Sequence, residues 1–458
     1  MPLNINKNII KKFDVPGPRY TSYPTAPNWS DSVSEAVYID KLKTLGQSSK
    51  TLSLYIHIPF CQSLCTFCAC NVVIRQYDDK YGEEYLTHLF KEIDLIADYI
   101  GRKIKVKQFH WGGGTPTYLN EEQIERLFVK VGKRFDIDFD GEIAIEVDPR
   151  TITQSKMAKL RKLGFNRVSM GVQDFERDVQ ESINRIQPLA MVKEVNQWCR
   201  DLKFHSVNFD LIYGLPNQTQ ATFQKTVDDV IALKPDRVAL YSFAYVPWLK
   251  KHQNKMDSRA LPGNDVKLDI FLTARGQFFE AGYQAIAMDH FALKDDELAK
   301  AFNKGELYRN FMGYTVKPAD EYVGLGVTSI GFLEKTFVQS VKVLPEYYRL
   351  LKEGRLPIER GKELTTDDQI RQWTINALMC QFALNKTQFA QRFGVSFDEY
   401  FQKESEHIEQ CVKNDLIVLE KDQIIVTHFG KIFIRNVCMG FDWYLQQQDT
   451  HKRFSQTI

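Results

Sequence analysis

Four cysteines stand in one short stretch of the chain, Ile58-Pro-Phe-Cys61-Gln-Ser-Leu-Cys65-Thr-Phe-Cys68-Ala-Cys70. Cys61, Cys65 and Cys68 follow a Cys-x3-Cys-x2-Cys spacing. Thiolates are soft ligands, and three of them suit three irons of a 4Fe-4S cubane. The fourth iron is then open to a substrate or cofactor. Zinc competes for such ligands, but structural zinc asks for two separated pairs, and no second pair accompanies this one. Ligation by Cys70 would close the open iron, so Cys70 is expected beside the cluster or facing substrate. Cys199, Cys380, Cys411 and Cys438 are scattered among apolar or helical patterns.

Other chemically capable groups recur downstream. They are His110-Trp-Gly-Gly-Gly-Thr-Pro-Thr117, Glu146-Val-Asp148-Pro, Gln173-Asp174, Asp210-Leu-Ile-Tyr-Gly214-Leu-Pro and Phe243-Ala244-Tyr245. Three successive glycines expose backbone N–H and C=O groups to a ligand. The string lacks the Gly-Lys-Ser/Thr ending of a phosphate loop.

These groups sit where short apolar runs end. The runs, at 52–59, 106–111, 143–147, 167–172, 207–213, 237–243 and 285–288, are rich in β-branched residues. Amphipathic stretches at 80–99, 121–135, 155–163, 190–202, 222–233 and 265–281 separate them. Strand–helix alternation predicts a parallel sheet, because parallel strands need crossovers. Six or so repeats predict a (β/α) barrel or an incomplete one, with chemistry at the C-terminal strand ends. Residues 1–50 show little periodicity, and Pro16-Gly-Pro-Arg-Tyr-Thr-Ser-Tyr-Pro24 reads as an ordered loop packed over something. The barrel is expected over 51–300, and 301–364 reads as a connector with an apolar, Gly-containing segment at 324–331. Residues 365–458 read as a mostly helical, winged-helix-like domain, with helices at 368–384, 386–393, 397–414 and 429–446 and a hairpin across 416–427. It is expected to act as a lid or a cap on the substrate side.

The remaining composition narrows the class. A 458-residue chain with 43% apolar residues fills a core and divides into two or three units. The formal charge of +2 gives no basic excess for nucleic acid. No apolar run spans a bilayer, and the N-terminus lacks the apolar core and cleavage site of a secretion signal. A disulfide scaffold would be small and evenly rich in cysteine, so a reducing, cytoplasmic setting is expected.

The cysteine spacing, the aromatic before Cys68 and the downstream Gly-Gly-Gly resemble the radical S-adenosylmethionine (SAM) superfamily. Cys70, the string at 110–117 and Pro18-Arg-Tyr-Thr-Ser-Tyr-Pro24 narrow the resemblance to the oxygen-independent coproporphyrinogen III oxidase family. The similarity runs nearly end to end, through Ser169-Met-Gly-Val-Gln173, 208–216, Met288-Asp-His-Phe291, 310–314 and Ile434-Arg-Asn-Val-Cys438.

The resemblance implies an incomplete parallel barrel of the radical SAM type, with Cys61, Cys65 and Cys68 on the cluster and one SAM chelating its open iron. Tyr55, Phe67, Gly113, Glu146 and Ile330 match positions that hold this SAM. Gly114, Thr115, Gln173, Arg185, Asp210 and Ala244 match positions that hold a second SAM. Tyr55, Glu146, Cys70 and Ile330 are the candidate catalytic residues. The implied reaction cleaves SAM to methionine and a 5′-deoxyadenosyl radical, which takes a hydrogen from a propionate β-carbon of coproporphyrinogen III. Carbon dioxide and one electron leave, and two such events give protoporphyrinogen IX. A low-potential donor such as flavodoxin or ferredoxin, an unidentified electron acceptor and a monomeric state are implied as well. Arg19 is the candidate for a substrate carboxylate, because a guanidinium fork matches one. The chain departs from the family at Asn310-Phe311-Met312-Gly313-Tyr314, where Gln is usual in place of Met312. Ala69 stands where Gly is commoner. Competing readings are a haem chaperone paralogue, a radical methyltransferase that opens haem, and a DNA-binding iron or oxygen sensor.

Overall fold

The structure is a computed structural model that describes residues 12–316, 318–447 and 454–457. The outermost parts of the expected N-terminal and C-terminal segments lie outside these residues.

Twelve strands form one sheet. In chain order they are β1 (Leu52–Ile58), β2 (Lys105–Gly113), β3 (Asp136–Val147), β4 (Arg167–Gln173), β5 (Ser206–Tyr213), β6 (Arg237–Ser242), β7 (Tyr283–Ile286), β8 (His290–Leu293), β9 (Glu321–Leu325), β10 (Ile330–Leu333), β11 (Thr336–Ser340) and β12 (Ile358–Glu363). The spatial order is β12-β11-β10-β9-β1-β2-β3-β4-β5-β6-β8-β7. β9 and β1 through β6 run parallel, and antiparallel strands flank them on both sides. The linear order makes this an incomplete barrel. All but one residue of β1 are buried, as expected of a strand covered on both faces. The crossover helices are α1 (Asp79–Ile100), α2 (Glu121–Arg134), α3 (Gln154–Leu163), α4 (Leu189–Asp201), α5 (Gln220–Leu233) and α6 (Asn264–Glu280). Their ends follow local chemistry. Asp78 caps α1, which ends at left-handed Gly101, and Asn120 with Gln123 closes a capping box on α2.

Four expectations are corrected. The run at 285–288 is not a further parallel strand. β7 pairs antiparallel with β8, because the few residues between them permit only a hairpin. The seventh parallel strand is β9, from the expected connector, which also supplies β10 to β12. A helix capped by Ser34 covers Glu35–Gln47 in the segment that shows little periodicity. The expected helix at 429–446 is two short ones, Ile434–Met439 and Trp443–Gln446, broken around Gly440 with Asp442 capping the second.

Helix Thr366–Gln381 opens the C-terminal region, where Ala383–Asn385, Ile417–Leu419 and Gln423–Val426 form a small antiparallel sheet. The core of the barrel continues into this region without a break. Among the described residues, no helix is long and apolar enough to cross a membrane.

Candidate functional site

A cavity of about 290 Å³ opens at the C-terminal ends of β1 to β6. Cys61, Cys65, Phe67, Cys68 and Cys70 line one side. Gly113, Gly114 and Thr115 follow β2, Glu146 lies near the end of β3, Gln173 ends β4, and Asp210 lies on β5. Arg185 enters from the segment after β4. One site thus holds twelve residues that the sequence singles out. Tyr55, Ala244, Ile330 and Arg19 are not on its lining.

The glycine string must approach its neighbours closely. A Cβ at Gly112 would meet the Glu146 carboxylate at 2.7 Å. Gly113 has φ +118°, and a Cβ there would strike the His57 ring at 2.7 Å. The Gly113 N–H donates to Glu146 Oε2 at 3.1 Å, and His110 Nε2 lies 3.2 Å from Oε1. The carboxylate is therefore fixed at the cavity wall.

Asp148 pairs with Arg150 at 2.7 Å and Arg185 at 3.1 Å. Burial alone would raise this carboxyl, but the two guanidinium groups overcome it and hold it down to about 2. Arg150 Nη2 and Arg185 Nη1 each lie 3.7 Å from Cys65 Sγ. Burial pushes the Cys61 thiol up to about 11, although Thr115 Oγ1 lies 3.4 Å away. Metal ligation is what deprotonates such a thiol. Asp210 accepts from Ser169 Oγ at 3.0 Å and Asn208 Nδ2 at 2.9 Å, yet burial pushes it up to about 6.

Tyr55 acts at one remove. Its ring stacks on His110 with centroids 5.9 Å apart. Its hydroxyl donates to His57 Nδ1 at 3.1 Å, while His57 Nε2 donates to Asn71 O at 3.1 Å. Burial lowers His57 to about 4, so the ring is neutral and joins β1 to the end of the cysteine loop. The Ala244 carbonyl accepts from Gln253. Ile330 and Met312 pack against the cluster of Trp29, Tyr322, Phe337 and Leu364. Arg19 donates to Ser242 O at 2.6 Å and lies over the Tyr241 ring, whose residue also lines the cysteine cavity. Arg19 itself lines a small neighbouring cavity.

Sequence reasoning names Ser169 only within a matching segment, and passes over Arg150, Tyr241 and the loop after β6, where His252 reaches Cys68 O at 2.7 Å. Asp148-Pro-Arg150 does follow a strand end, which is the signal available for Arg150. Among the described residues, no three His, Cys, Asp or Glu side chains converge as ligands of one ion. A cubane needs no such convergence, because each thiolate takes its own iron. Gln173 Oε1 and Arg185 Nε are buried without a hydrogen-bond partner, so the wall retains polar capacity for a bound ligand.

Residues 55–230 match the radical SAM superfamily, and residues 364–433 match the HemN C-terminal domain. The oxygen-independent coproporphyrinogen III oxidase of Synechocystis sp. is 42% identical over 461 residues, covering 100% of this chain and 98% of that protein. The enzyme of the same name from Escherichia coli (strain K12) is 40% identical over 451 residues, covering 98% of each chain. The solved structure of the Escherichia coli coproporphyrinogen III oxidase, described as a radical SAM enzyme, superposes with a TM-score of 0.91 at 39% identity, covering 97% of this chain and all of that one. Matched over nearly its whole length by these relatives, the chain belongs to the radical SAM superfamily and, within it, to the oxygen-independent coproporphyrinogen III oxidase family.

Proposed function

We propose that this chain converts two propionate side chains of coproporphyrinogen III to vinyl groups without oxygen, giving protoporphyrinogen IX. The observation that carries the reading is the placement of Cys61, Cys65 and Cys68 on the cavity that also holds the glycine loop, Glu146, Gln173 and Asp210. The thiol donors, the adjacent guanidinium groups and the unpartnered polar atoms suit a 4Fe-4S cluster and SAM. Bound there, these groups supply a 5′-deoxyadenosyl radical that can take a hydrogen from a propionate β-carbon.

The chain's own residues bind, orient and shield. Arg150 and Arg185 offset the charge that three thiolates bring, and Asp148 keeps both in place. Glu146, held by His110 and the Gly113 N–H, presents a carboxylate to the amino group of the first SAM. Phe67 and Gly113 complete that site, with Tyr55 steadying His110 from behind, while Ile330, which the resemblance also assigns to it, stands off the cavity lining in the cluster around Trp29. Gly114, Thr115, Gln173, Arg185 and Asp210 form the site of a second SAM, with Ala244 off the lining and tied to Phe67 through Gln253, and Asp210 accepts from ribose hydroxyls. Cys70 stays off the cluster and faces the reacting centre. Arg19 takes a substrate carboxylate where the cavity meets Tyr241. The barrel at 51–300 and the segment at 301–364 build the site, and the described parts of the segments 1–50 and 365–458 cover it and exclude water. The enzyme works as a cytoplasmic monomer, reduced by a low-potential carrier protein.

The test is an anaerobic assay with reconstituted protein, reductant, SAM, coproporphyrinogen III and an electron acceptor, read by mass spectrometry. Loss of two carboxyl groups together with 5′-deoxyadenosine is expected. Deoxyadenosine without decarboxylation refutes the substrate and makes haem the next one to try.

A further inference from the structure

The reaction needs an electron from outside, and one loop joins the cysteines to the surface. After β6 the chain folds back along the cysteine loop. His252 Nε2 lies 2.7 Å from Cys68 O, Gln253 Nε2 donates to Phe67 O at 3.2 Å, and Lys250 Nζ donates to Cys70 O at 3.2 Å. Its inner side thus touches the backbone of one cluster cysteine and its neighbours. The outer side differs. Trp248 and Leu249, adjacent in sequence, are 46% and 58% exposed. Lys251 and Lys255 are exposed beside them on the short helical turn Lys251–Lys255. Asp257 is the only carboxylate in residues 244–262, and Arg259 engages it at 2.9 Å. A chain of net charge +2 therefore carries a local cationic excess around an exposed tryptophan.

Exposed aromatic area rimmed by unpaired charge marks an interaction surface. Lysines of one sign recruit an acidic partner, raising the association rate more than the lifetime of the complex. Electron-transfer encounters are of this kind, small at under roughly 1,200 Å² and short-lived. We propose that Trp248, Leu249, Lys251 and Lys255 are the docking surface for a small acidic electron-carrier protein. One electron passes from the carrier's low-potential centre to the cluster, and no bond is made or broken. His252 and Gln253 hold the docking loop against the ligand loop. The inference rests on the radical SAM reading of the site, because that chemistry is what calls for a one-electron donor.

The experiment compares two reductants on full-length reconstituted enzyme under anaerobic conditions. One is reduced flavodoxin, a small acidic carrier. The other is dithionite, which needs no docking surface. The variants are Trp248→Ala and the double charge reversal Lys251→Glu with Lys255→Glu. Flavodoxin affinity is measured by calorimetry without SAM, and cluster reduction is followed by stopped-flow absorbance. The charge reversal is expected to slow reduction by flavodoxin roughly tenfold or more at low salt. Wild type should lose rate as salt rises while the double variant stays flat. Trp248→Ala is expected to weaken binding about tenfold. Formation of 5′-deoxyadenosine with dithionite should equal wild type in both variants. Unchanged flavodoxin binding and reduction would overturn the proposal, and so would an equal fall with dithionite, because the loop would then act on the site itself. Absence of 5′-deoxyadenosine from wild type with dithionite would instead overturn the functional reading.

Discussion

Glu92 provides a test of the scaffold that is independent of the cluster. It lies on α1, fully buried, and its Oε2 accepts from the Gly326 N–H at 2.7 Å and from the Tyr347 hydroxyl at 2.6 Å. It thereby fastens the end of β9 to the helix layer beside β1. Burial outweighs both hydrogen bonds and raises its carboxyl from 4.5 to about 7. The folded protein thus binds this proton more tightly than the unfolded chain. The stabilisation is fully present below pH 4.5 and is lost as the pH rises through 7. At about 1.4 kcal/mol per pH unit, the loss is about 3 kcal/mol. Glu92→Gln keeps an acceptor for both donors and has no proton to lose. Thermal unfolding should be compared at pH 5 and pH 8 for both proteins. About 2.5 kcal/mol of this is lost between the two pH values, so at roughly 2 °C per kcal/mol wild type should fall about 5 °C further than the variant. Parallel pH profiles would refute the reasoning, because Glu92 would then titrate alike in the folded and unfolded chain.

Replacing Cys61, Cys65 or Cys68 by Ala should each abolish cluster absorbance after reconstitution, while Cys70→Ala should retain it. With Asp210 pushed up to about 6, SAM affinity should fall as the pH drops through 6. Titration calorimetry of Asp210→Asn should show a pH-independent affinity, weaker than wild type by about 1.5–3 kcal/mol at high pH. Arg19→Ala should raise the KM for coproporphyrinogen III about tenfold and leave kcat in place, as expected of one lost carboxylate contact. Met312→Gln should leave turnover unchanged and lower stability by about 1–3 kcal/mol in denaturant titrations, because the amide enters an aromatic cluster and Met312 is not on the cavity lining.

The parallel strands are readable from sequence because they are buried on both faces. Leu52–Ile58 and Arg237–Ser242 read as apolar runs bounded by breakers, and their ends carry the chemistry. β9 escapes that reading. Glu321-Tyr-Val-Gly-Leu325 is short and includes a charge and a glycine, and only its pairing with β1 makes it a barrel strand. The cysteine loop, the glycine string and Asp210 are legible because each is a local pattern. Arg150 and His252 are not, because what gives them a role is a contact across 85 and 184 positions of chain. Arg19 is identified by residue type, yet its position over the Tyr241 ring follows from how the N-terminal segment packs.

That packing ties the two ends of the described chain together. The Arg435 guanidinium donates to the carbonyls of Gly17, Pro18, Gln456 and Thr457, and Thr457 N–H donates to Val15 O at 3.0 Å. During synthesis the cysteine loop leaves the ribosome long before Arg435 does. Until Arg435 arrives, the carbonyls of Gly17 and Pro18 lack its guanidinium, although Arg19 already has Ser242 and Arg309 as partners. A chain terminated before residue 435 therefore carries the three cysteines of the ligand loop without the joint that closes its two ends on each other.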